Sequence, residues 1–347
     1  MKSLGLPAVL VTDPANVFYF SGFAGSPGDG ILLITMDCAW ILTDSRYTLQ
    51  VKEQCPGYQI LGSSALDISS LAHQLRSLGV SSLGFENKSI LYSFWYRLTE
   101  HIPFVGMIAL DDLFMDLRNI KDTTEIHFIA KACSIAVDAL RETVPYIVPG
   151  VSEQDVALEL EYRMRKKGAS GCAFDTIVAS GERSALPHGV ASDRIIREGD
   201  AVTIDFGARF EGYCSDMTRT FFVGEPSGVL RTVYNAVYQA QLAAIQGFKV
   251  GMTSLELDSL ARMTLQEMGY SEYFTHSLGH GVGIEVHEGI TIGRNKTTSI
   301  QPGMIFSIEP GVYIHNVGGV RIEDLILCTE DGIVNLTDGF EKELAIL

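Results

Sequence analysis

The sequence predicts an α/β (α+β) protein of two domains. Its 347 residues suggest two domains, and 46% of them are hydrophobic, which is ample for large cores. The first hundred residues or so alternate short apolar strands with helices, which is typical of a sheet packed with helices. The remainder contains one long segment twice. We therefore expect an N-terminal α/β domain over residues 1–116 and a C-terminal domain with pseudo-two-fold symmetry over residues 117–347.

Short apolar runs predict the secondary structure of the N-terminal domain. The predicted strands cover residues 8–12, 30–34, 39–42 and 83–86, and the predicted helices cover residues 48–54 and 68–77. This order predicts a mixed sheet. The first apolar run is interrupted by Pro7 and ends before Asp13, so it is too short for a signal peptide or a membrane span.

A long connecting helix is predicted over residues 123–146. Apolar residues such as Ile129 and Cys133 recur there at helical spacing, and Asp122 or Thr123 can cap its start. We expect its apolar face to belong to the core and not to a binding site.

The C-terminal part contains the same supersecondary unit twice. Residues 150–170 align without a gap on residues 251–271, and each copy predicts a capped helix that ends near a glycine. Residues 196–207 align in the same way on residues 300–311. A period of about a hundred residues is too long for a solenoid. We therefore expect two related halves with a site between them.

Both copies end on acidic residues. Asp205 and Glu309 occupy equivalent positions at the ends of predicted strands, and Asp216 and Glu323 each follow after a turn. An ordinary surface position is the better prior for any single acidic residue, but four at repeat-related positions with apolar flanks indicate a cluster. Like charges at short range repel each other unless a cation lies between them. The sequence therefore predicts a metal site.

Three histidines lie close together in residues 275–288. Glycines flank His280, which lets the backbone pack closely around an ion, and His276 and His287 are placed to line the same pocket. We predict His280 as a fifth ligand. A set of two Asp, two Glu and one His suits two hard or borderline divalent ions better than a structural zinc. Two such ions activate water and polarise a substrate oxygen, which is the equipment of a hydrolase.

A longer set of motifs connects these candidates. They are the segments 174–181 and 186–189 and the ordered residues Asp205, Asp216, His280, Glu309 and Glu323. Together they resemble the pita-bread metallopeptidases of the prolidase and aminopeptidase P group, from about Leu117 to the end of the chain. All five ligand positions are filled, unlike in the creatinase-type relatives that keep the fold without the metals.

The N-terminal part shares the resemblance. Residues 15–26 resemble the creatinase/prolidase-like N-terminal domain, which methionine aminopeptidases lack. Compared with that family, the chain lacks most of a helix that usually precedes the first strand. Either this helix is dispensable here or the true start lies upstream.

The resemblance implies an Xaa-Pro peptidase with two divalent metal ions per chain. Asp216 and Glu323 would bridge both ions. Asp205 would bind one of them, and His280 and Glu309 would bind the other. Mn²⁺ is the favoured metal, with Co²⁺, Zn²⁺ and Fe²⁺ as alternatives.

Catalytic roles also follow from the resemblance. His188 and His287 would donate hydrogen bonds to the scissile carbonyl, to the developing oxyanion or to the leaving group. Glu309 would carry a proton to the leaving nitrogen.

Four more residues receive supporting roles by the same resemblance. His276 would shape the proline subsite, and Tyr313 and Arg321 would orient the substrate and the Glu323 carboxylate. Thr218 would support a bridging carboxylate, as metal-binding carboxylates generally require.

The expected partner is a small peptide with proline in second position, and a homodimer is expected. The N-terminal domain, from the same chain or from a partner subunit, would restrict the cleft. The sequence leaves open whether only dipeptides or also longer peptides are cleaved. Two other functions stay open: a catalytically weak pita-bread binding or scaffolding protein, and an aminopeptidase of different N-terminal specificity.

Composition indicates which partners and which cellular compartment to expect. A net charge of −16 argues against partners such as nucleic acid or an anionic membrane. The six cysteines are scattered without CxxC spacing, which is typical of a reducing compartment. The sequence therefore predicts a cytoplasmic protein.

Overall fold

A six-stranded mixed sheet organises the N-terminal unit. The computed structural model describes Met1 and residues 4–347, and its contacts separate the chain into Met1–Phe114 and Met115–Leu347. The first unit contains the strands β1 (Ala8–Val11), β2 (Ile31–Thr35), β3 (Ala39–Leu42), β4 (Tyr58–Leu61), β5 (Ser82–Phe85) and β6 (Gly106–Ala109). Their order is β4-β3-β2-β1-β5-β6. Strand β2 pairs antiparallel with β1 and with β3, whereas the β1–β5, β3–β4 and β5–β6 pairs are parallel. The predicted mixed sheet is confirmed.

Helices pack on this sheet, and both of its faces are buried. The helices are α1 (Pro14–Ser21), α2 (Thr48–Gln54), α3 (Ile68–Ser77), α4 (Tyr92–His101) and α5 (Leu113–Asn119), which contains the boundary between the units. Along β1, Ala8 and Leu10 belong to one apolar cluster, whereas Val9 and Val11 belong to another. Successive side chains of a strand point to opposite faces, so the two clusters are the two faces of the sheet.

The predicted helices α2 and α3 have the bounds that the sequence indicated, whereas the strands β4 and β6 were missed. Both are edge strands whose residues are largely half-buried or exposed. Their sequences therefore lack the strong apolar signal of the central strands.

Four long helices belong to the C-terminal unit. They are α6 (Thr123–Thr143), α7 (Glu153–Lys166), α8 (Gly228–Gly247) and α9 (Ser254–Glu267). The helix predicted over residues 123–146 ends at Thr143 and continues as a 3₁₀ turn, Val144–Tyr146. Pro145 has no N–H to donate and its ring clashes with the preceding turn, so the α-helix cannot extend through it.

Short sheets whose strand pairs are mostly antiparallel form the rest of this unit. The strands are β7 (Gly171–Cys172), β8 (Ile177–Ser180), β9 (Ala201–Phe206), β10 (Ala208–Phe210), β11 (Tyr213–Cys214), β12 (Met217–Phe222), β13 (Gly279–His280), β14 (Thr291–Ile292), β15 (Ile305–Ile308), β16 (Gly311–Ile314), β17 (Gly318–Arg321), β18 (Asp324–Thr329), β19 (Gly332–Asn335) and β20 (Ala345–Ile346). Two sheets carry the duplicated strands, with orders β20-β12-β9-β8 and β15-β18-β19.

The duplication is visible in the hydrogen bonds. Strands β9 and β12 pair antiparallel in the first copy, and β15 and β18 pair antiparallel in the second. The amide of Gly150 donates to the carbonyl of Ile196 over 3.0 Å, and the amide of Gly251 donates to that of Ile300 over 3.2 Å. Each copy packs mainly around one apolar cluster, although Ala201 and Phe222 of the first copy belong to the cluster of the second. The two halves are therefore built alike.

Equivalent capping boxes begin α7 and α9. The hydroxyl of Ser152 accepts from the amide of Asp155 over 3.0 Å, and that of Thr253 accepts from the amide of Glu256 over 3.3 Å. In both boxes the acidic side chain accepts from the amide of the capping residue in return. Each cap satisfies helix N–H groups that have no partner within the helix.

Replacing either capping residue by alanine should lower the free energy of unfolding by about 1 kcal/mol. Because the two caps are equivalent, Ser152→Ala and Thr253→Ala should have similar effects, measured by thermal denaturation followed by circular dichroism. Ser152→Thr and Thr253→Ser keep a capping oxygen and serve as controls that should stay near wild type. A loss confined to one copy would contradict the equivalence of the caps.

Candidate active site

One cavity of about 800 Å³ in the C-terminal unit is lined by ten of the eleven residues that received roles above, all except Thr218. These are His188, Asp205, Asp216, His276, His280, His287, Glu309, Tyr313, Arg321 and Glu323. Apolar side chains including Phe174, Ile177 and Val190 line it as well, together with Asp175. A cavity of this size with a few convergent polar groups is typical of a small-molecule site.

The four acidic residues reach the cavity from equivalent places in the two copies. Asp205 lies in β9 and Glu309 directly follows β15, whereas Asp216 directly precedes β12 and Glu323 directly precedes β18. In each copy the two carboxylates therefore come from paired strands, at the end where the chain leaves one strand and enters the next.

Two of these acidic side chains and His280 come close enough to share one ion. Ligand atoms of Asp216, His280 and Glu323 all lie within 4.8 Å of one another. The Nε2 atom of His280 is 3.6 Å from Oδ2 of Asp216 and 3.3 Å from Oε1 of Glu309. His280 therefore stands between carboxylates from both copies of the repeat.

The other ring nitrogen of His280 shows which nitrogen is available. Its Nδ1 atom lies 3.3 Å from the carbonyl oxygen of Gly281, which can only accept a hydrogen bond. Nδ1 must therefore carry a proton. Burial alone would lower the pKa of His280, but the hydrogen bond from Nε2 to Glu309 and the charge of Glu309 raise it. Loss of the Nε2 proton would leave a lone pair directed at the carboxylates, as in a histidine that ligates a metal.

Burial disfavours simultaneous ionisation of the carboxylates in this cluster. Burial and then the charge of Glu323 raise the pKa of Asp216 well above its usual range. Burial and then the charge of Glu309 do the same to the pKa of Glu323. Burial also raises the pKa of Asp205, although Arg321 opposes this. The site has an excess of negative charge that a cation would relieve.

Unsatisfied oxygen atoms point to the same conclusion. Oδ1 of Asp205, Oδ1 of Asp216 and Oε1 of Glu323 are buried and have no hydrogen-bond partner among the residues that the structure describes. Buried polar atoms in native proteins are nearly always satisfied by protein, water or an ion. Three unpaired carboxylate oxygens beside Nε2 of His280 form a donor set that fits divalent metal ions.

A second layer of hydrogen bonds holds two of the carboxylates. The hydroxyl of Thr218 donates to Oε2 of Glu323 over 2.6 Å and accepts from Nε of Arg321 over 3.1 Å. Nη2 of Arg321 donates to Oδ2 of Asp205 over 2.7 Å. We expected Arg321 to orient the Glu323 carboxylate, but it binds Asp205 directly and reaches Glu323 through Thr218.

Arg321 also begins a chain of hydrogen bonds towards His276. Its Nη1 atom donates to the hydroxyl oxygen of Tyr313 over 2.9 Å, and this hydroxyl lies 3.1 Å from Nε2 of His276. Nδ1 of His276 lies 2.8 Å from the carbonyl of Ser277 and must donate to it. The hydroxyl of Tyr313 therefore donates to Nε2. Burial lowers the pKa of His276, which favours this neutral ring.

His287 and His188 face the cavity without carboxylate partners among the described hydrogen bonds. The ring of His287 stands edge to face with that of His280, with centroids 3.9 Å apart. Burial and then the charge of His280 lower the pKa of His287. A neutral imidazole can donate from one nitrogen to a substrate oxygen.

Ser307 is a site residue that the sequence analysis missed. Its hydroxyl accepts from the backbone N–H of His280 over 3.0 Å and donates to Oε1 of Glu309 over 3.0 Å. It lies two residues before Glu309, as Thr203 lies two residues before Asp205. Residues two apart in a strand share a face, so the hydroxyls at equivalent positions of the repeat were the available signal.

Comparison with known proteins identifies relatives along the whole chain. Residues 127–330 match the model of metallopeptidase family M24, and residues 1–120 match that of the creatinase/prolidase N-terminal domain. An Xaa-Pro dipeptidase of Pyrococcus furiosus is 41% identical over 345 residues, which cover 99% of this chain and 97% of the relative.

Solved structures give the same picture. An Xaa-Pro dipeptidase from Bacillus anthracis superposes with a TM-score of 0.95 at 44% identity, covering 100% of this chain and 96% of that chain. An X-Pro aminopeptidase from Thermotoga maritima superposes with a TM-score of 0.94 at 39% identity, covering 100% and 97%. The predicted fold class and the family resemblance are confirmed. Within the described residues, no helix is long and apolar enough to cross a membrane.

Replacing Thr218 by valine keeps the shape of the side chain but removes the hydroxyl that holds Glu323. We expect the affinity for Mn²⁺ to fall about tenfold to a hundredfold, measured by calorimetric titration of the metal-free protein. Thr220→Val is the matched control, because that hydroxyl bonds the backbone of Arg321 and the hydroxyl of Thr203 instead of a carboxylate. An unchanged affinity in Thr218→Val would show that this hydroxyl does not support a ligand.

Proposed function

The chain belongs to metallopeptidase family M24, and we propose that it hydrolyses the peptide bond before proline in dipeptides or short peptides. One observation carries the proposal: the cavity brings three carboxylate oxygens that lack hydrogen-bond partners among the described residues beside Nε2 of His280. The relatives named as Xaa-Pro dipeptidases support the preference for proline in second position.

We propose that two divalent ions occupy this cavity. Asp216 and Glu323 would hold both ions, Asp205 would hold one of them, and His280 and Glu309 would hold the other. Mn²⁺ is the favoured metal, with Co²⁺, Zn²⁺ and Fe²⁺ as alternatives. When bound, such ions activate water and polarise the substrate carbonyl.

Glu309 is placed to move a proton. Burial alone would raise the pKa of its carboxyl, but the hydrogen bond and charge of His280 lower it to about 2. Glu309 is therefore ionised at neutral pH and able to accept a proton from the attacking water. It then passes the proton to the leaving nitrogen. Ser307 holds one oxygen of Glu309 in place during this exchange.

The histidines act on the substrate. His188 and His287 donate to the scissile carbonyl, and the hydrogen bonds strengthen as negative charge develops on its oxygen. His276 and Tyr313 form a wall for the proline ring. The peptide nitrogen of proline has no N–H to donate. The subsite can therefore recognise proline by the shape of its ring and needs no hydrogen-bond acceptor for this nitrogen. The hydrogen bonds from Arg321 through Tyr313 to His276 keep this wall fixed.

The finer expectations about context stay predictions. A cytoplasmic location, a homodimer and the exact limit between the two domains are not needed for the chemistry proposed here. The choice between dipeptides and longer peptides is also open, because the Thermotoga maritima neighbour is named as an X-Pro aminopeptidase.

Replacing His287 by alanine should lower kcat/KM for Leu-Pro about tenfold to a thousandfold, because one transition-state hydrogen bond is lost. Metal content, measured by mass spectrometry, should stay near two ions per chain. Glu323→Ala is the contrasting variant and should lose both ions together with activity. A His287→Ala protein that has lost an ion, or a Glu323→Ala protein with two ions and wild-type turnover, would contradict these assignments.

Hydrolysis of Leu-Pro, Leu-Pro-Pro and Met-Ala at equal concentrations, with added Mn²⁺ or Co²⁺, tests the substrate class. We expect cleavage of Leu-Pro and little action on Met-Ala, because the subsite behind the scissile bond is shaped for a proline ring. Preference for Leu-Pro-Pro would assign aminopeptidase P activity. Preference for Met-Ala would exclude proline specificity, and a protein with no turnover and few ions would indicate a binding module.

A further inference from the structure

A buried cluster of charged side chains holds the residue that follows His287 in the chain. Arg118, Lys121 and Glu288 form its centre, with side chains only 1%, 1% and 2% exposed. Nη2 of Arg118 pairs with Oε2 of Glu288, and Nζ of Lys121 lies 3.0 Å from Oε1 of Glu288. Arg118 also binds Glu285 over 2.8 Å. None of these four residues lines the cavity, so the chemistry proposed above does not use them.

The Glu288 carboxylate fills the interior of a closed loop. Strands β13 and β14 pair through His280 and Thr291, so the residues between them form this loop. The amide of Glu285 donates to Oε2 of Glu288 over 3.1 Å. A Cβ atom on Gly283 would lie 2.0 Å from Oε1 of Glu288, so a larger residue would collide with the carboxylate. The loop is folded around this charged group.

Backbone hydrogen bonds join the two ends of the same loop. The amide of Glu288 donates to the carbonyl of Gly281 over 2.9 Å, and the amide of Gly281 donates to the carbonyl of Ile290 over 2.6 Å. Residues next to His280 and next to His287 are thereby held against each other. The edge-to-face contact of the two imidazole rings, with centroids 3.9 Å apart, is the result.

The cations that neutralise the carboxylate come from far away in the sequence. Arg118 and Glu288 are 170 residues apart. Burial alone would raise the pKa of Glu288, but Lys121 and Arg118 hold it below its usual range, so the carboxylate stays ionised. A buried carboxylate that loses such partners is strongly disfavoured. The conformation of the loop therefore depends on both cations.

We propose that Glu288 is a positioning residue for peptide hydrolysis, and that its pairing with Arg118 and Lys121 fixes the place of His287 beside His280. Consecutive Cα atoms are about 3.8 Å apart, so anchoring Glu288 leaves His287 little freedom. A catalytic group displaced by about 1 Å can lose a hundredfold in rate. The proposal rests on the role given above to His287 in the proposed function.

A double-mutant cycle distinguishes positioning from a purely structural role. Glu288→Gln and, separately, Lys121→Met should lower kcat/KM for Leu-Pro about tenfold to a hundredfold, with metal content unchanged. In the His287→Ala background the same changes should have no further effect, because they act through His287. Equal losses in both backgrounds, or no loss in either, would overturn the proposal. Lys121→Met keeps Arg118 and decides the question if Glu288→Gln does not fold.

Nuclear magnetic resonance of ¹³C-labelled histidine rings gives a readout that does not depend on turnover. In metal-free protein, the Cε1–H signal of His287 is assigned by its absence in His287→Ala. We expect this signal to shift in Glu288→Gln and Lys121→Met while that of His188 stays in place. An unchanged His287 signal would overturn the proposal. A wild-type protein that cleaves no Xaa-Pro peptide would instead defeat the proposed function, and this measurement would still decide the placement of His287.

Lys167→Met is the matched control for both measurements. Lys167 pairs with Glu142 over 2.7 Å, but the two side chains are 25% and 48% exposed. Exposed ion pairs contribute little because water already solvates their charges. This variant should keep wild-type kcat/KM and the wild-type His287 signal. A control that behaves like Lys121→Met would overturn the claim that the buried cluster is special.

Discussion

The repulsion between buried carboxylates is the constraint on which the rest of the C-terminal unit depends. Asp216 and Glu323 are 3% and 1% exposed, and each holds an oxygen with no partner within the described part of the chain. A fold gains nothing by burying such groups alone, since each must give up its water. Arg321 compensates Asp205, and Thr218 compensates one oxygen of Glu323. The remaining negative charge is what divalent ions balance in a metallopeptidase.

Duplication explains how these acidic side chains reach one place. Each copy supplies an antiparallel pair of strands, and each pair carries one carboxylate where the first strand ends and another just before its partner begins. One apolar cluster lies mainly in each copy, and strands β9 and β12 contribute residues to both clusters. The charged residues therefore lie where the strands of the two copies meet, as the hydrogen bond from the amide of Glu323 to the carbonyl of Thr218 shows.

The chemistry depends on where the two copies differ. Thr203 in the first copy pairs with the hydroxyl of Thr220, whereas its counterpart Ser307 binds both Glu309 and the amide of His280. His280 itself belongs to a loop of the second copy. The carboxylates are arranged symmetrically, but the nitrogen and hydroxyl groups beside them are not. The two sides of the cavity therefore differ chemically.

The sequence by itself determined the local features and the acidic ligand candidates. Helix caps at Ser152 and Thr253, the apolar spacing of α6 and the repeat that pairs Asp205 with Glu309 are short-range or self-similar patterns, so they can be read without coordinates. Tertiary structure alone decided that Arg321 binds Asp205, 116 residues away, and that Arg118 and Lys121 neutralise Glu288. Such pairs leave no periodic signal, because side chains distant in sequence meet only when the packing of whole strands and helices brings them together.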